Sequence, residues 1–203
     1  KRRADVDVRW ADLRSDEVDG MVTSPGRTVM DCAKDCAFDE ALAVADSAVR
    51  HGAVSQADLV RVAGLMPALH RSRCLRVAFA ANGRAANPFE SVLRAIAIDA
   101  VGPRFVPQVV VRGRGFTVRP DLVDEVRRVV AEADSFEWHG SRSALRADCR
   151  RYNDLALEGW LVLRFAWEDV MFRPDYVRQC FVTAGLRPPV GHATVTIPRD
   201  IAA

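Results

Sequence analysis

The spacing of apolar residues predicts that the first part of the chain is mainly helical. Ser24 followed by Pro25 is typical of a helix start, because a serine side chain caps free amide groups and proline fits the first turn. Ahead of this start, Val6 and Val8 alternate with aspartates, and the alternation predicts a strand. The predicted helices begin at Pro25, cover residues 39–51, begin again after Ser55 and cover residues 74–81.

The pattern changes after Asn82-Gly83 and Asn87-Pro88, which are strong breakers of regular structure. We therefore predict a mainly helical region over residues 1–86 and a second domain over residues 87–203. This second domain is predicted to have an α/β fold, in which helices pack against a mixed sheet. Its predicted elements are a helix over 88–101, strands over 105–111, 116–123 and 127–133, a long helix over 141–158, a strand over 161–165, a closing helix over 174–184 and an edge strand over 194–197.

Composition limits the classes of protein to which the chain can belong. With 203 residues, 49% of them hydrophobic, it can close one large core or two small ones, which excludes a disordered tail or a collagen-like repeat. Its 29 basic and 27 acidic residues leave a net charge of +2, so any basic surface has to be local. No run of about 18 apolar residues occurs, so we expect no membrane span and a cytoplasmic protein.

The cysteines, the lysines and the first residue each add one expectation. The five cysteines are scattered and form no CxxC pair, so we expect them to be reduced and to hold no zinc. The only lysines are Lys1 and Lys34, so nearly all the positive charge is arginine. Because the chain opens on Lys1 and not on Met, we expect it to be part of a longer protein.

Acidic residues gather at one end of the predicted sheet. Asp121 and Glu132 lie near the ends of neighbouring predicted strands, and Asp134 shares a strand face with Glu132 at about 7 Å. Glu90, on the preceding helix, can reach the same place. Carboxylates this close repel one another, and a hard cation such as Mg²⁺ commonly compensates the repulsion. The alternative is that they are solvated acids at strand ends, which are common.

The order of these acids resembles the PD-(D/E)XK nuclease superfamily. Pro120-Asp121 comes first, Glu132-x-Asp134 follows, and a helical Glu90 precedes both. The resemblance implies a restriction-endonuclease-like core made of a helix, a three-strand meander, a helix, a strand and a helix.

A second set of motifs narrows the resemblance. The stretch Asp-Ser-Phe-Glu-Trp-His-Gly over 134–140 is similar to the very-short-patch-repair endonuclease branch, and most of all to actinobacterial uncharacterised proteins that share its core. The helical segment over 146–153 and the motif Gly-Trp-Leu-Val-Leu-Arg over 159–164 follow in the same order as in that branch. The resemblance therefore covers residues 88–186.

This resemblance implies hydrolysis of nucleic-acid phosphodiesters with Mg²⁺ or Mn²⁺. It makes Asp121 the principal metal ligand, Glu132 and Asp134 ligands or positioners of the attacking water, and Glu90 the partner of a metal-bound water. It makes His139 the general acid or base, since imidazole titrates near neutrality; the alternative is a hydrogen-bonded structural histidine. The chain departs from the family in two places, because Asp134 stands where the family has lysine, or histidine in this branch, and Ser135 stands where it has glycine.

The long predicted helix carries a basic stripe of Arg142, Arg146 and Arg150, at i, i+4 and i+8. Beside the acidic site, such a stripe could bind a nucleic-acid backbone. The alternative is a solvated face whose arginines pair with Asp148 or Asp154. The buried stripe of this helix is predicted to consist of Leu145, Cys149, Tyr152 and Ala156.

The segment from Thr23 to Asp31 resembles the one that follows a winged helix in AbiEi-type antitoxin regulators. That resemblance implies a DNA-binding winged helix before Lys1. Two principal hypotheses follow: a Mg²⁺-dependent DNA endonuclease, or a catalytically inactive DNA-binding regulator that keeps the nuclease fold. DNA is the expected partner in both, and the sequence leaves open a homodimer and a toxin or regulator partner. A structural module without either activity would leave the clustered acids unexplained.

Overall fold

The computed structural model of the chain describes residues 8–134 and 142–190 and shows a mixed α/β protein. Of the predicted strand at Val6 and Val8, Val8 lies in irregular chain and Val6 lies outside the described residues. The predicted strand over 194–197 also lies outside them. Among the helices of the described ranges, none has both the length and the apolar character needed to cross a membrane.

The first part of the chain is helical, as predicted. A 3-10 turn over Ser15–Glu17 and a short hairpin, β1 and β2, precede four helices that share one apolar core. The fourth helix begins six residues before the prediction, because its first turns expose polar side chains that give no apolar spacing. The bounds are β1 Val18–Asp19, β2 Val22–Thr23, α1 Pro25–Asp35, α2 Phe38–Arg50, α3 Gln56–Leu65 and α4 Ala68–Ala80.

Local interactions explain where α1 begins. The Ser24 hydroxyl accepts a hydrogen bond from the Arg27 amide, as expected for a serine cap. The buried Arg27 guanidinium then contacts Glu17 at 2.9 Å and Asp31 at 3.1 Å. The segment from Thr23 to Asp31 therefore supplies a helix cap and a buried ion-paired group.

A four-stranded sheet with order β3-β6-β7-β8 forms the centre of the second part. The β3–β6 and β6–β7 pairs are antiparallel, whereas β7 and β8 are parallel and are joined by α6. The bounds are α5 Pro88–Val101, β3 Val106–Pro107, β4 Val111–Gly113, β5 Phe116–Val118, β6 Leu122–Asp124, β7 Val129–Asp134, α6 Arg142–Leu157, β8 Leu161–Ala166, α7 Trp167–Phe172 and α8 Pro174–Gly185.

Two predicted strands are each divided in the structure. Gln108, with a φ of 56°, turns the chain between β3 and β4, so the predicted strand over 105–111 was wrong as one element. Pro120 follows β5 and has no amide proton for a ladder, so the predicted strand over 116–123 ends and restarts as β6. As a result, β4 and β5 form a separate two-stranded hairpin.

The sheet buries a core on each face. Leu122, Ala131 and Phe165 pack with α5 and α8 on one face, and Val123 and Val130 pack with α6 and the β4–β5 hairpin on the other. Because the strands alternate, the second face is also the face of Glu132, which follows Val130 by two residues.

The predicted buried stripe of α6 was wrong for most of its members. Leu145, Cys149 and Ala156 are exposed, whereas Leu155 is fully buried. The side of α6 towards the sheet instead carries Asp148, Arg151, Tyr152 and Leu155, at i, i+3, i+4 and i+7. Two of these four residues are charged, so an apolar pattern could not identify this side.

Helix α5 packs against both parts of the molecule. It contacts the sheet core through Leu93 and Ala97, and it contacts α2 through a buried ion pair. Arg94 donates to both carboxylate oxygens of Asp46, at 2.6 and 2.7 Å, and Asp46 also accepts from the Asn82 amide. The division into two domains near residue 86 stays a prediction. The ion pair of Asp46 and Arg94 joins residues on either side of that division.

Candidate active site

The structure brings the four predicted acids to one end of the sheet. Glu90 lies in the first turn of α5, Asp121 directly precedes β6, and Glu132 and Asp134 belong to β7. Asn87 explains the position of Glu90: its side chain caps α5 by accepting from the Glu90 amide, and it donates to the Glu90 carboxylate at 2.9 Å.

Gln108 links the first two acids. Its side-chain amide donates to Glu90 Oε2 at 3.0 Å and to Asp121 Oδ1 at 3.1 Å. The other oxygen of Asp121 accepts from the Ala133 amide at 2.8 Å, so the carboxylate is fixed between β3 and β7. The left-handed backbone of Gln108 is thus part of the site, because it turns the chain at the position from which the side chain reaches both acids.

Two arginines face the other two acids. Arg151 Nη1 of α6 lies 3.6 Å from Glu132 Oε1, and Arg164 Nε of β8 donates to Asp134 Oδ2 at 2.6 Å. The Tyr152 ring lies near both guanidinium groups, with its centroid 4.8 Å from Arg151 Cζ and 4.2 Å from Arg164 Cζ. Positive charge therefore reaches the cluster from two arginines.

Burial dominates the protonation of the acids. The pKa of Glu132 is raised to about 8: burial is the largest cause, Arg151 opposes the increase, and the neighbouring Asp121 adds to it. Burial also raises the pKa of Asp121 and of Glu90, although hydrogen bonds from the Ala133 and Ala86 amides oppose the increase. The site thus holds carboxyl groups whose negative charge is only partly compensated by the protein.

The donor set of Asp121 and Glu132 fits a small divalent cation. Glu132 Oε1 is buried and, within the described part of the chain, accepts no hydrogen bond. Residues 8–134 and 142–190 contain no group of three acidic, histidine or cysteine side chains placed to hold a metal ion. Mg²⁺ commonly takes only one or two carboxylates and completes its shell with water and phosphate oxygens, so a pair of acids is sufficient.

The remaining predicted residues do not join this cluster. His139 lies outside the described residues. Arg142, Arg146 and Arg150 are exposed, and at 100° per residue their stripe lies about 170° from the side of α6 that meets the sheet. The predicted placement of the stripe beside the acids was therefore wrong, while nucleic-acid binding by these arginines stays a prediction.

Sequence reasoning missed Gln108, Arg151 and Arg164. For Arg151 a signal existed, because Asp148, Arg151, Tyr152 and Leu155 share one helical face. Arg164 could have been found only from the register of the sheet, in which it is the Cα partner of Glu132 in the parallel pair of β7 and β8. Nothing local in the sequence marks Gln108, whose role depends on contacts with α5 and Asp121.

Comparison with known proteins gives two relatives. The chain is similar to the uncharacterized proteins MT2308 and Rv2248 of two Mycobacterium tuberculosis strains, CDC 1551 / Oshkosh and ATCC 25618 / H37Rv, with 29% identity over 160 residues. The alignment covers 76% of this chain and 58% of each relative, so the chain spans less than two thirds of their length. No family model matches the chain. No solved structure matches it either.

Proposed function

We propose that the chain is a metal-dependent DNA endonuclease that hydrolyses phosphodiester bonds. The observation that supports this proposal is the pair of the half-buried Asp121 and the buried Glu132, whose pKa is about 8 and whose Oε1 atom has no hydrogen-bond partner among the described residues. A hard cation stabilises a pair of acids whose negative charge the protein compensates only in part, and the same cation binds phosphate oxygens. The motif order of Glu90, Asp121, Glu132 and Asp134 supports the same activity.

In this proposal Asp121 and Glu132 hold Mg²⁺ or Mn²⁺. When bound, the ion supplies charge stabilisation at the phosphate and lowers the pKa of a bound water. Gln108 keeps the Asp121 carboxylate oriented, and the Ala133 amide fixes its second oxygen. Arg151, whose side chain is 32% exposed, is placed to donate to a phosphate oxygen as negative charge develops there.

The remaining acids have supporting roles in this proposal. Glu90 accepts hydrogen bonds from the Ala86 amide and from Gln108, and it holds the Gln108 side chain in place beside Asp121. Asp134 is paired with Arg164, which holds it beside Glu132 on the same strand face. His139 keeps its predicted role as general acid or base.

A plasmid-nicking assay with Mn²⁺ tests the activity. We expect the wild-type chain to nick supercoiled DNA, and we expect Asp121→Asn to lose at least about 100-fold in rate, because it removes a principal ligand. Asp175→Asn, an exposed aspartate in the first turn of α8, is the matched control and should retain the rate. Equal nicking by Asp121→Asn and the wild type would overturn this assignment of the site.

A second candidate is a catalytically inactive DNA-binding regulator that retains the fold. The observation in its favour is that Arg164 pairs with Asp134 and Arg151 lies beside Glu132, so part of the acidic charge is compensated without a metal. The antitoxin-like segment from Thr23 to Asp31 also supports it. Calorimetric titration with Mn²⁺ separates the two: this candidate predicts no Mn²⁺ binding and no nicking, with DNA binding retained.

A further inference from the structure

We propose that the outer face of the β4–β5 hairpin binds the phosphate backbone of double-stranded DNA and delivers the duplex to the acidic cluster. The inference rests on the proposed function, since it names the surface by which the substrate is held. The outer face is defined here by Arg112, Arg114, Thr117 and Arg119.

The register of the hairpin separates its two faces. Val111 pairs with Val118 and Arg112 pairs with Thr117, so residues of opposite character alternate along both strands. On the inner side, Val111 and Val118 pack in the core with Leu155 of α6. The outer face is therefore the one that carries the arginines, and all four of its residues are exposed.

Packing holds this face in one orientation. The Phe116 ring occupies the space that a Cβ on Gly113 would need, so the two strands are in close contact across the hairpin. Gly115, with a φ of 82°, forms the tight turn. The Arg114 amide donates to Glu158 Oε1 at 3.1 Å, which fixes the tip of the hairpin to the end of α6.

Arg119 connects the charged face to the acidic cluster along the chain. It precedes Asp121 by two residues, so their Cα atoms lie at most about 7 Å apart. In this proposal, a phosphate backbone that contacts Arg112 and Arg119 continues towards Asp121 and Glu132. The Arg114 side chain, 88% exposed, extends the charge to the tip, where the Glu158 carboxylate lies 3.9 Å away and offsets part of it.

The shape of the face favours duplex DNA. Arginine presents a planar fork of donors that matches phosphate oxygens. A two-stranded ribbon fits the major groove of B-DNA, which is about 12 Å wide, and its arginines can then contact the phosphates on either side of the groove. The major groove of A-form RNA is deep and too narrow for this approach, so the shape favours a DNA duplex.

Binding of a labelled 20-bp DNA duplex, measured by fluorescence anisotropy over a salt series in EDTA, tests the proposal. Each phosphate contact contributes about 0.9 to the slope of log K against log salt. We expect Arg112→Gln and Arg119→Gln each to lower the magnitude of the slope by about 1, and the double variant by about 2. Arg178→Gln, an exposed arginine of α8 on the other side of the sheet, is the matched control and should leave the slope unchanged.

A variant that adds charge excludes misfolding as the explanation. Thr117→Arg places a further guanidinium opposite Arg112, and we expect it to increase the magnitude of the slope by about 1. The proposal is overturned if the hairpin variants bind as the wild type does, if the wild type binds no duplex, or if it prefers duplex RNA. The binding assay contains EDTA and therefore does not depend on cleavage. If the wild type binds the duplex as expected but does not nick plasmid DNA with Mn²⁺, only the proposed endonuclease activity is contradicted.

Discussion

The Arg151 guanidinium lies 3.6 Å from Glu132 Oε1, near enough for an ion pair but too far for a hydrogen bond. Within the described residues, neither this oxygen nor Arg151 Nε has a hydrogen-bond partner. The two side chains of opposite charge thus lie close together, and each keeps a buried polar atom without a hydrogen bond among the described residues. Because the attraction is incomplete, burial still determines the protonation of Glu132.

The first prediction concerns pH and the free energy of unfolding in EDTA. The Glu132 pKa is about 8 in the folded protein against an ordinary value of 4.5, so the folded state binds the proton more tightly. The tighter proton binding by Glu132 contributes fully to stability below pH 4.5, and this contribution is lost as the pH rises towards 8. The free energy of unfolding of the wild type should therefore fall between pH 5 and pH 9, while that of Glu132→Gln should not. We expect the difference between the variant and the wild type to shift in favour of the variant by on the order of 2–4 kcal/mol over this range.

Urea unfolding at the two pH values measures this difference. Glu168→Gln, an exposed residue of α7, corrects for the general effect of removing one carboxylate. A difference between Glu132→Gln and the wild type that stays constant from pH 5 to pH 9 would show that Glu132 titrates normally.

The second prediction concerns Arg151 and Mn²⁺. Arg151→Gln removes a positive charge beside Glu132, so we expect Mn²⁺ to bind about tenfold more tightly in calorimetry. Nicking should nevertheless fall by 10- to 100-fold or so, because the variant loses a donor to the phosphate. Arg150→Gln is the neighbouring control, since that side chain is exposed on the far side of α6. Unchanged or weaker Mn²⁺ binding by Arg151→Gln would place the ion away from Glu132.

The third prediction concerns the buried ion pair between α2 and α5. Arg94→Met leaves the Asp46 carboxylate buried without its partner, and we expect it to cost about 3–5 kcal/mol in urea unfolding. The double variant Asp46→Leu with Arg94→Met removes both charges and should recover most of that loss. If the double variant is no more stable than Arg94→Met, the loss comes from packing and not from an unpaired charge.

The fourth prediction concerns the cap of α1 in the segment from Thr23 to Asp31. Ser24→Ala removes the cap of α1, so we expect a loss of about 1 kcal/mol in the free energy of unfolding. Ser72→Ala, an exposed position inside α4, serves as the control and should not destabilise the protein. Equal stability of Ser24→Ala and the wild type would mean that the cap contributes little and that the serine needs another explanation.

Helices were predictable from the sequence wherever their signals are local. Ser24, Ser55 and Asn87 each cap a helix within a residue or two of its expected start. The strands were less predictable, because a single backbone conformation at Gln108 and the missing amide proton of Pro120 redirect the chain between apolar runs. No pattern of hydrophobicity contains that information.

The acids of the site were predictable, but their partners were not. Glu132 and Asp134 follow from strand alternation, which depends only on neighbours in the sequence. Arg151 and Arg164 lie 19 and 30 residues after the acids they face, and their positions depend on how α6 and β8 pack against β7. Opposite charges that meet through tertiary packing leave little trace in a single sequence.

Helix α5 also limits which fragments of the protein can fold on their own. Glu90 of the acidic cluster and Arg94, one turn later, lie on the same helix, and Arg94 finds its carboxylate on α2. A fragment that starts at residue 87 would keep every acid of the cluster but would leave the Arg94 guanidinium without its counter-charge. Expression of residues 87–203 alone is therefore expected to yield a poorly folded product.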